Sequence, residues 1–155
     1  MRTLSNYIDE AIKIGSSVAN ISVYTCHPKS REDLENILCE RVSKEGPNCD
    51  LNDIDVSKIN DMSWLFYSTD FNGDISRWDV SNVKNMEYMF YCAKFNGDIS
   101  GWDVSNVKDM SSMFSYSNFN QDISNWEISE DCNTDYMFKN CIIKEEYKPK
   151  SLQKK

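Results

Sequence analysis

Three segments, FNGDISRWDVSNVKNMEYMF (71–90), FNGDISGWDVSNVKDMSSMF (95–114) and FNQDISNWEISEDCNTDYMF (119–138), align without a gap at a period of 24. LNDIDVSKINDMSWLF (51–66) is a fourth, front-truncated copy in the same register. Apolar residues therefore fall in columns: Ile75, Ile99 and Ile123 with Leu51; Trp78, Trp102 and Trp126 with Ile54; Val56, Val80, Val104 and Ile128. Further along run Ile59, Val83 and Val107, then Met62, Met86 and Met110, then Leu65, Met89, Met113 and Met137. Each of the last four precedes a phenylalanine, Phe66, Phe90, Phe114 or Phe138. A fixed period of this length is the signature of a repeat architecture, in which one unit cannot bury its apolar face alone and neighbours stack to close the core.

Within one copy, Ile75, Trp78 and Val80 give the pattern apolar-x-x-apolar-x-apolar, expected for a short strand followed by a turn. Val83, Met86, Met89 and Phe90 then recur every three to four residues, a spacing for a brief helical or 3₁₀ return. Asn72-Gly73 and Asn96-Gly97 are turn dipeptides whose glycines suit positive φ. The expected fold is a right-handed α/β repeat solenoid, with a parallel β-sheet on one side, short helical or 3₁₀ returns and a helical N-terminal cap.

The long motif D-I-S-x-W-D-V-S-N-V-x-x-M-x-x-M-F, with its FNGDIS turn, resembles the BspA-like, mycoplasma-lipoprotein type of leucine-rich repeat. The resemblance covers 51–138, and the leader HPKSREDLENILCERVSKEGPNCDLNDIDVS is similar to the helical lead-in such arrays carry. It implies a leucine-rich-repeat fold and protein binding, in a family of bacterial surface or secreted proteins whose repeat also occurs in phage and large-virus genomes.

Working outward, every Phe, every Trp and every Met except Met1 lies between 62 and 138, which sets a boundary near residue 50. Upstream, Ser30-Arg31-Glu32-Asp33 is a helix start with a hydroxyl for exposed amides, and Leu34, Ile37, Leu38 and Val42 make one apolar face before Gly46-Pro47 stops it. Such a helix would cover the open end of the first coil. Before it, Leu4, Tyr7, Ile8, Ala11, Ile12 and Ile14 form a second stripe, which either packs on the domain or docks elsewhere. Downstream, Glu130, Asp131 and Thr134 break the apolar register, Ile142-Ile143 would close the core, and KPKSLQKK would fray into solvent. The chain thus divides into 1–28 (N-terminal helix and linker), 29–50 (helical cap), 51–138 (four repeats) and 139–155 (C-terminal cap and basic tail).

Composition bounds the function. Of 155 residues 40% are hydrophobic and 12% aromatic, enough for a packed core, and the formal charge is −8. Residues 51–138 carry 5 basic and 15 acidic side chains, while 139–155 carry 6 and 2. An acidic stack argues against nucleic acid or an anionic membrane as partner. No apolar run has the length of a signal peptide or a membrane span, so the location expected is cytoplasmic by default, with virion or surface association as the alternatives. Six cysteines lack any C-x-x-C pair and His27 is the only histidine, so free thiols are expected rather than zinc or a nucleophile site.

The pointed candidates are repeated columns. Asp55, Asp79, Asp103 and Glu127 stack in one, and Asp74, Asp98 and Asp122 in another; the G-G-x-G-x-D calcium nonapeptide is absent, and the positions suit bonding to turn amides. Beside them Asp53, Arg77, Gly101 and Asn125 vary from copy to copy. Trp64, Tyr67, Tyr88, Tyr91, Tyr116 and Tyr136 form an aromatic set, read either as a contact surface or as packing at the core edge. With no catalytic apparatus and no cofactor implied, two classes remain. The first is a non-catalytic protein-interaction module using Asp55, Arg77, Asp79, Asp103, Glu127, Trp64, Tyr67, Tyr88 and Tyr91; the partner would be a protein of unknown identity, the oligomeric state open. The second is a structural or assembly component, phage-encoded or virion-associated, docking through its N-terminal helix.

Overall fold

The computed structural model describes residues 24–154. The apolar stripe of residues 4–14, and the docking role considered for it, lie outside the described residues.

Four turns of chain of 24 residues each stack in register: coil 1 (47–70), coil 2 (71–94), coil 3 (95–118) and coil 4 (119–142). The apolar columns meet themselves. Trp78 and Trp102, and Trp102 and Trp126, lie with ring centroids 6.5 Å apart and planes within 7° of parallel. Phe66, Phe90, Phe114 and Phe138 stack at 5.4, 5.5 and 5.7 Å, and Phe71, Phe95 and Phe119 at 6.1 and 6.3 Å. Ile75, Ile99, Met86, Met110 and Val107 are buried between them. Each buried indole also bonds the coil before it: Nε1 of Trp78, Trp102 and Trp126 donates to the carbonyls of Leu51, Ile75 and Ile99 at 2.9, 3.2 and 3.2 Å. An asparagine ladder repeats the theme, since the Asn96, Asn120 and Lys144 amides donate to Oδ1 of Asn72, Asn96 and Asn120.

The expected parallel sheet and helical returns do not form. Among the described residues there is no strand, parallel pairing is confined to isolated bridges such as Asp61–Asn85, Asn85–Asp109 and Asp109–Asn133, and no helix interrupts 51–138. The reason is local competition for amides. At each corner an Asp or Asn side chain captures the amide two residues on: Ser76 donates to Asp74, Ser81 to Asp79 and Glu87 to Asn85, at 2.9–3.1 Å. Tight turns take others, with Trp78 N–H to Ile75 carbonyl and Val83 N–H to Val80 carbonyl. In the segment read as a helical return, alternate amides point two ways. Those of Met62, Trp64, Phe66 and Ser68 cross to the carbonyls of Asn85, Glu87, Met89 and Tyr91 at 2.8–2.9 Å, whereas those of Leu65, Tyr67 and Thr69 turn back three residues. Left-handed φ at Trp64, Ser68, Tyr88, Cys92, Ser112, Tyr116, Tyr136 and Asn140 maintains that alternation and is incompatible with a strand or helix.

The glycines play a different part from the one expected. Among the described glycines, Gly46 alone has positive φ, +90°. A Cβ on Gly73 would stand 2.0 Å from the Cys49 carbonyl oxygen, and one on Gly97 would stand 2.8 Å from the Phe95 ring, so these residues are required by close approach between and within coils.

Helix α1 (Arg31–Glu45) covers coil 1. Ser30 Oγ accepts the Asp33 amide at its N-terminus, Gly46 ends it, and Leu34, Ile37, Leu38 and Val42 pack on the core. Arg41 fixes it, reaching Asp53 Oδ2 at 3.0 Å, the Asp50 carbonyl at 3.1 Å and Glu45. The preceding Thr25–Cys26 pairs with Asp53–Asp55. At the far end the tail does not fray. Ile143 continues the Phe119 column while Ile142 is exposed, the Ile123 amide donates to the Tyr147 carbonyl, and two 3₁₀ turns (Glu145–Tyr147, Lys150–Leu152) lay buried Pro149 and part-buried Leu152 against coil 4. Lys148 Nζ bonds Glu145 at 2.6 Å and Lys154 N–H bonds the same carboxylate, which holds the basic segment down.

Candidate functional site

The acidic columns are turn-builders. Asp55, Asp79 and Asp103 each accept both the amide and the hydroxyl of the serine two residues on, at 3.1 and 2.6–2.7 Å. The Ser57 hydroxyl beside Asp55, and the Ser105 hydroxyl beside Asp103, hold those carboxyls below the usual range. The backbone amides of Ser76, Ser100 and Ser124 do the same for Asp74, Asp98 and Asp122. Glu127 lacks this arrangement and faces solvent. His27 Nδ1 lies 3.2 Å from Asp55 Oδ2 at the start of the column. Among the described residues no group of His, Cys, Asp and Glu is disposed to hold a metal ion, and all six cysteines are unpaired.

The variable column is not a single surface. Asp53 is tied to Arg41 and to the Thr25 hydroxyl, so it belongs to the α1 anchor. Arg77 is exposed; its backbone amide donates to Asn52 Oδ1 at 2.7 Å, and among the described residues its guanidinium makes no ion pair and no cation–π contact. Its charge nonetheless helps to hold the Asp74 carboxyl below its ordinary range, after the hydrogen bonds from Ser76 and Asn52.

The aromatic set does assemble. Trp64 stacks on Tyr88 with centroids 4.3 Å apart, Tyr67 stacks on Tyr91 at 5.2 Å, and Trp64–Tyr67, Tyr88–Tyr91 and Tyr91–Tyr116 join these pairs at 4.9, 5.3 and 5.6 Å. Tyr136 stands apart under Lys139. The ring face lies outside the core: Trp64, Tyr67 and Tyr116 are 44%, 40% and 46% exposed, whereas Trp78, Trp102 and Trp126 are each 4% exposed. Burial raises the Tyr91 hydroxyl above its ordinary range, with smaller contributions from the like charges that Cys92, Tyr116, Tyr67 and Tyr88 would carry on ionising. Trp64, Tyr88 and Tyr116 sit at left-handed φ of 63°, 54° and 58°, a region that costs a residue with a Cβ about 1–2 kcal/mol. Ser112, with φ 54°, occupies the corner of coil 3 that corresponds to Trp64 and Tyr88, and Ser68, with φ 53°, the corner of coil 1 that corresponds to Tyr116, so neither turn needs a ring.

Sequence reasoning did not find the left-handed positions, because none of them is a glycine and bulky rings prefer extended backbone. It also missed a cavity of about 500 Å³ between α1 and coil 1, lined by Leu38, Cys39, Val42, Leu65, Phe66 and Phe71 among others, which exists only once the helix is placed.

Comparison with curated proteins gives no match, and neither does comparison with solved structures. The profile of a family described as "Mycoplasma protein of unknown function, DUF285" matches residues 33–149, from the first turn of α1 through all four coils to the first 3₁₀ turn beyond them. That match spans most of the chain, so the protein belongs to the DUF285 family.

Proposed function

We propose that this protein is a non-catalytic protein-binding module of the kind suggested by its resemblance to BspA-like repeats, and that Trp64, Tyr67, Tyr88 and Tyr91, extended by Tyr116, are its contact surface. One observation carries the reading. Rings occupy strained, solvent-facing corners that a serine fills in coil 3, so the fold does not require them there. Exposed aromatic clusters of this kind are the anchors of protein interfaces, since they bury a large area at a low cost in side-chain entropy. The acidic columns support the reading differently: as turn-builders they maintain the scaffold and leave recognition to the rings.

The test copies the chain's own solution. Trp64→Ser with Tyr88→Ser places at both corners the residue that coil 3 carries at Ser112. The double variant should keep its circular dichroism spectrum and melting profile while losing the partner that co-purifies with the native protein from its source. Undiminished capture by the folded variant refutes the assignment of this face.

A further inference from the structure

Hydrogen bonds between coils run one way through residues 62–68 and their equivalents, and that polarity makes the two ends of the stack unlike. The amides of Met62, Trp64, Phe66 and Ser68 donate to coil 2, those of Met86, Tyr88, Phe90 and Cys92 to coil 3, and those of Met110, Ser112, Phe114 and Tyr116 to coil 4, all at 2.8–3.1 Å. In coil 4 the same positions are Thr134, Tyr136, Phe138 and Asn140, and among the described residues their amides have no acceptor. The columns open there too: Ser112 is 7% exposed and Phe114 fully buried, whereas Tyr136 is 68% exposed and Phe138 only half-buried. The C-terminal segment joins coil 4 at Asn120 and Ile123 and gives these amides no bond, although Lys148 Nζ reaches over the Phe138 ring at 5.8 Å.

At the opposite end the same polarity leaves acceptors. The carbonyls of Asp61, Leu65 and Tyr67 take no donor among the described residues, while that of Ser63 is held by the Arg31 guanidinium of α1. α1 does not close over the stretch that follows, where the cavity of about 500 Å³ separates it from Leu65, Phe66 and Phe71. Charge differs as well: residues 31–70 carry 4 basic and 10 acidic side chains, and 139–155 carry 6 and 2.

We infer that the protein associates head to tail, the coil 4 end of one copy docking beside α1 on the coil 1 end of the next. A symmetric contact between like ends is disfavoured, since two donor rows or two acceptor rows cannot pair, whereas unlike ends continue the bonding already used within the chain. In that register the Phe138 and Asn140 amides of one copy meet the Leu65 and Tyr67 carbonyls of the next, as Phe114 and Tyr116 meet Met137 and Lys139. Ile142, 62% exposed beside this edge, supplies an apolar side chain for the cavity. The basic end is drawn to the acidic one, more strongly at low salt. A head-to-tail contact does not exhaust itself in a pair, so the assemblies lengthen with concentration.

Sedimentation velocity of the full chain over a concentration series should show species from dimer upward that grow with concentration and dissociate as salt is raised. Two variants each block one end at exposed positions: Lys139→Glu with Ile142→Asp at coil 4, and Cys39→Arg in the cavity wall. Each alone should lose every species above monomer while keeping the native circular dichroism spectrum. An equimolar mixture of the two should form a dimer and nothing larger, because it retains one working donor end and one working acceptor end. Self-association that survives in either folded variant, a mixture that stays monomeric, or a native chain at monomer mass up to about 1 mM overturns the proposal.

Discussion

Replacing the central indole tests how the stack is held. Trp102 lies between Trp78 and Trp126 at 6.5 Å on either side, is 4% exposed, and donates Nε1–H to the Ile75 carbonyl at 3.2 Å. Trp102→Ala removes the ring from a site flanked by coils on both sides, so the lost transfer energy and the residual cavity together cost about 3–5 kcal/mol. Trp102→Phe isolates one component. A ring remains in the column, but the Ile75 carbonyl loses one of its two donors and keeps only the Trp78 amide at 3.2 Å, a loss of about 0.5–1.5 kcal/mol. Trp126 is equally buried and bonds Ile99 in the same way, yet has only one tryptophan neighbour, so Trp126→Ala should cost less than Trp102→Ala by about 1 kcal/mol, the worth of one ring pair. Urea titrations of the variants, followed by circular dichroism at a common temperature, give the comparison. A Trp102→Phe protein as stable as the native one would refute the role of the inter-coil indole bond, and equal losses for the two alanine variants would refute the ring column as a graded series.

Gly73→Ala should destabilise by about 3 kcal/mol or more and Gly97→Ala by about 1–3, because the new methyl meets a backbone carbonyl in the first case and chiefly a ring edge in the second; thermal denaturation ranks them. Cys92→Asn, at an exposed left-handed corner filled by Asn140 in coil 4, should raise stability by up to about 1 kcal/mol in the same assay, with equal or lower stability counting against strain there. Asp74, Asp98, Asp103 and Asp122 have carboxyls held below their ordinary value, so the stability they contribute is present above the unfolded value of about 3.9 and is lost as pH falls through the folded values. Midpoints measured from pH 7 downward should hold to about pH 5 and then fall, and Asp98→Asn with Asp122→Asn, which retains the amide acceptor as Asn85 does, should make the fall shallower.

Periodicity made the core legible. Nearly every column read from the 24-residue repeat is buried and stacked on its own equivalents, and the α1 face of Leu34, Ile37, Leu38 and Val42 packs where the sequence places it. The Asp-x-Ser spacing also carried its own meaning, that of carboxylates bonded to turn amides. What misled was the apolar spacing within a copy. Ile75-x-x-Trp78-x-Val80 fits a strand by hydrophobicity, but whether its amides cross to the next coil or close local turns is a competition between hydrogen bonds of similar energy, and the aspartates win it at the corners. In the same way Met86, Met89 and Phe90 have helical spacing yet belong to a run of turns with left-handed corners at Tyr88 and Cys92.

The amino-acid sequence by itself determined that identical coils stack and which residues they bury, because a repeated apolar face has no better partner than its own copy. Only the tertiary structure decided which amides cross between coils and which close local turns, where bulky rings are held at left-handed φ, and that Trp64, Tyr67, Tyr88 and Tyr91 join in one ring cluster, with which Arg77 makes no cation–π contact among the described residues. Those outcomes depend on amides and carbonyls that every residue carries alike, and on register across 24 residues of chain, neither of which is written in the identity of any single side chain.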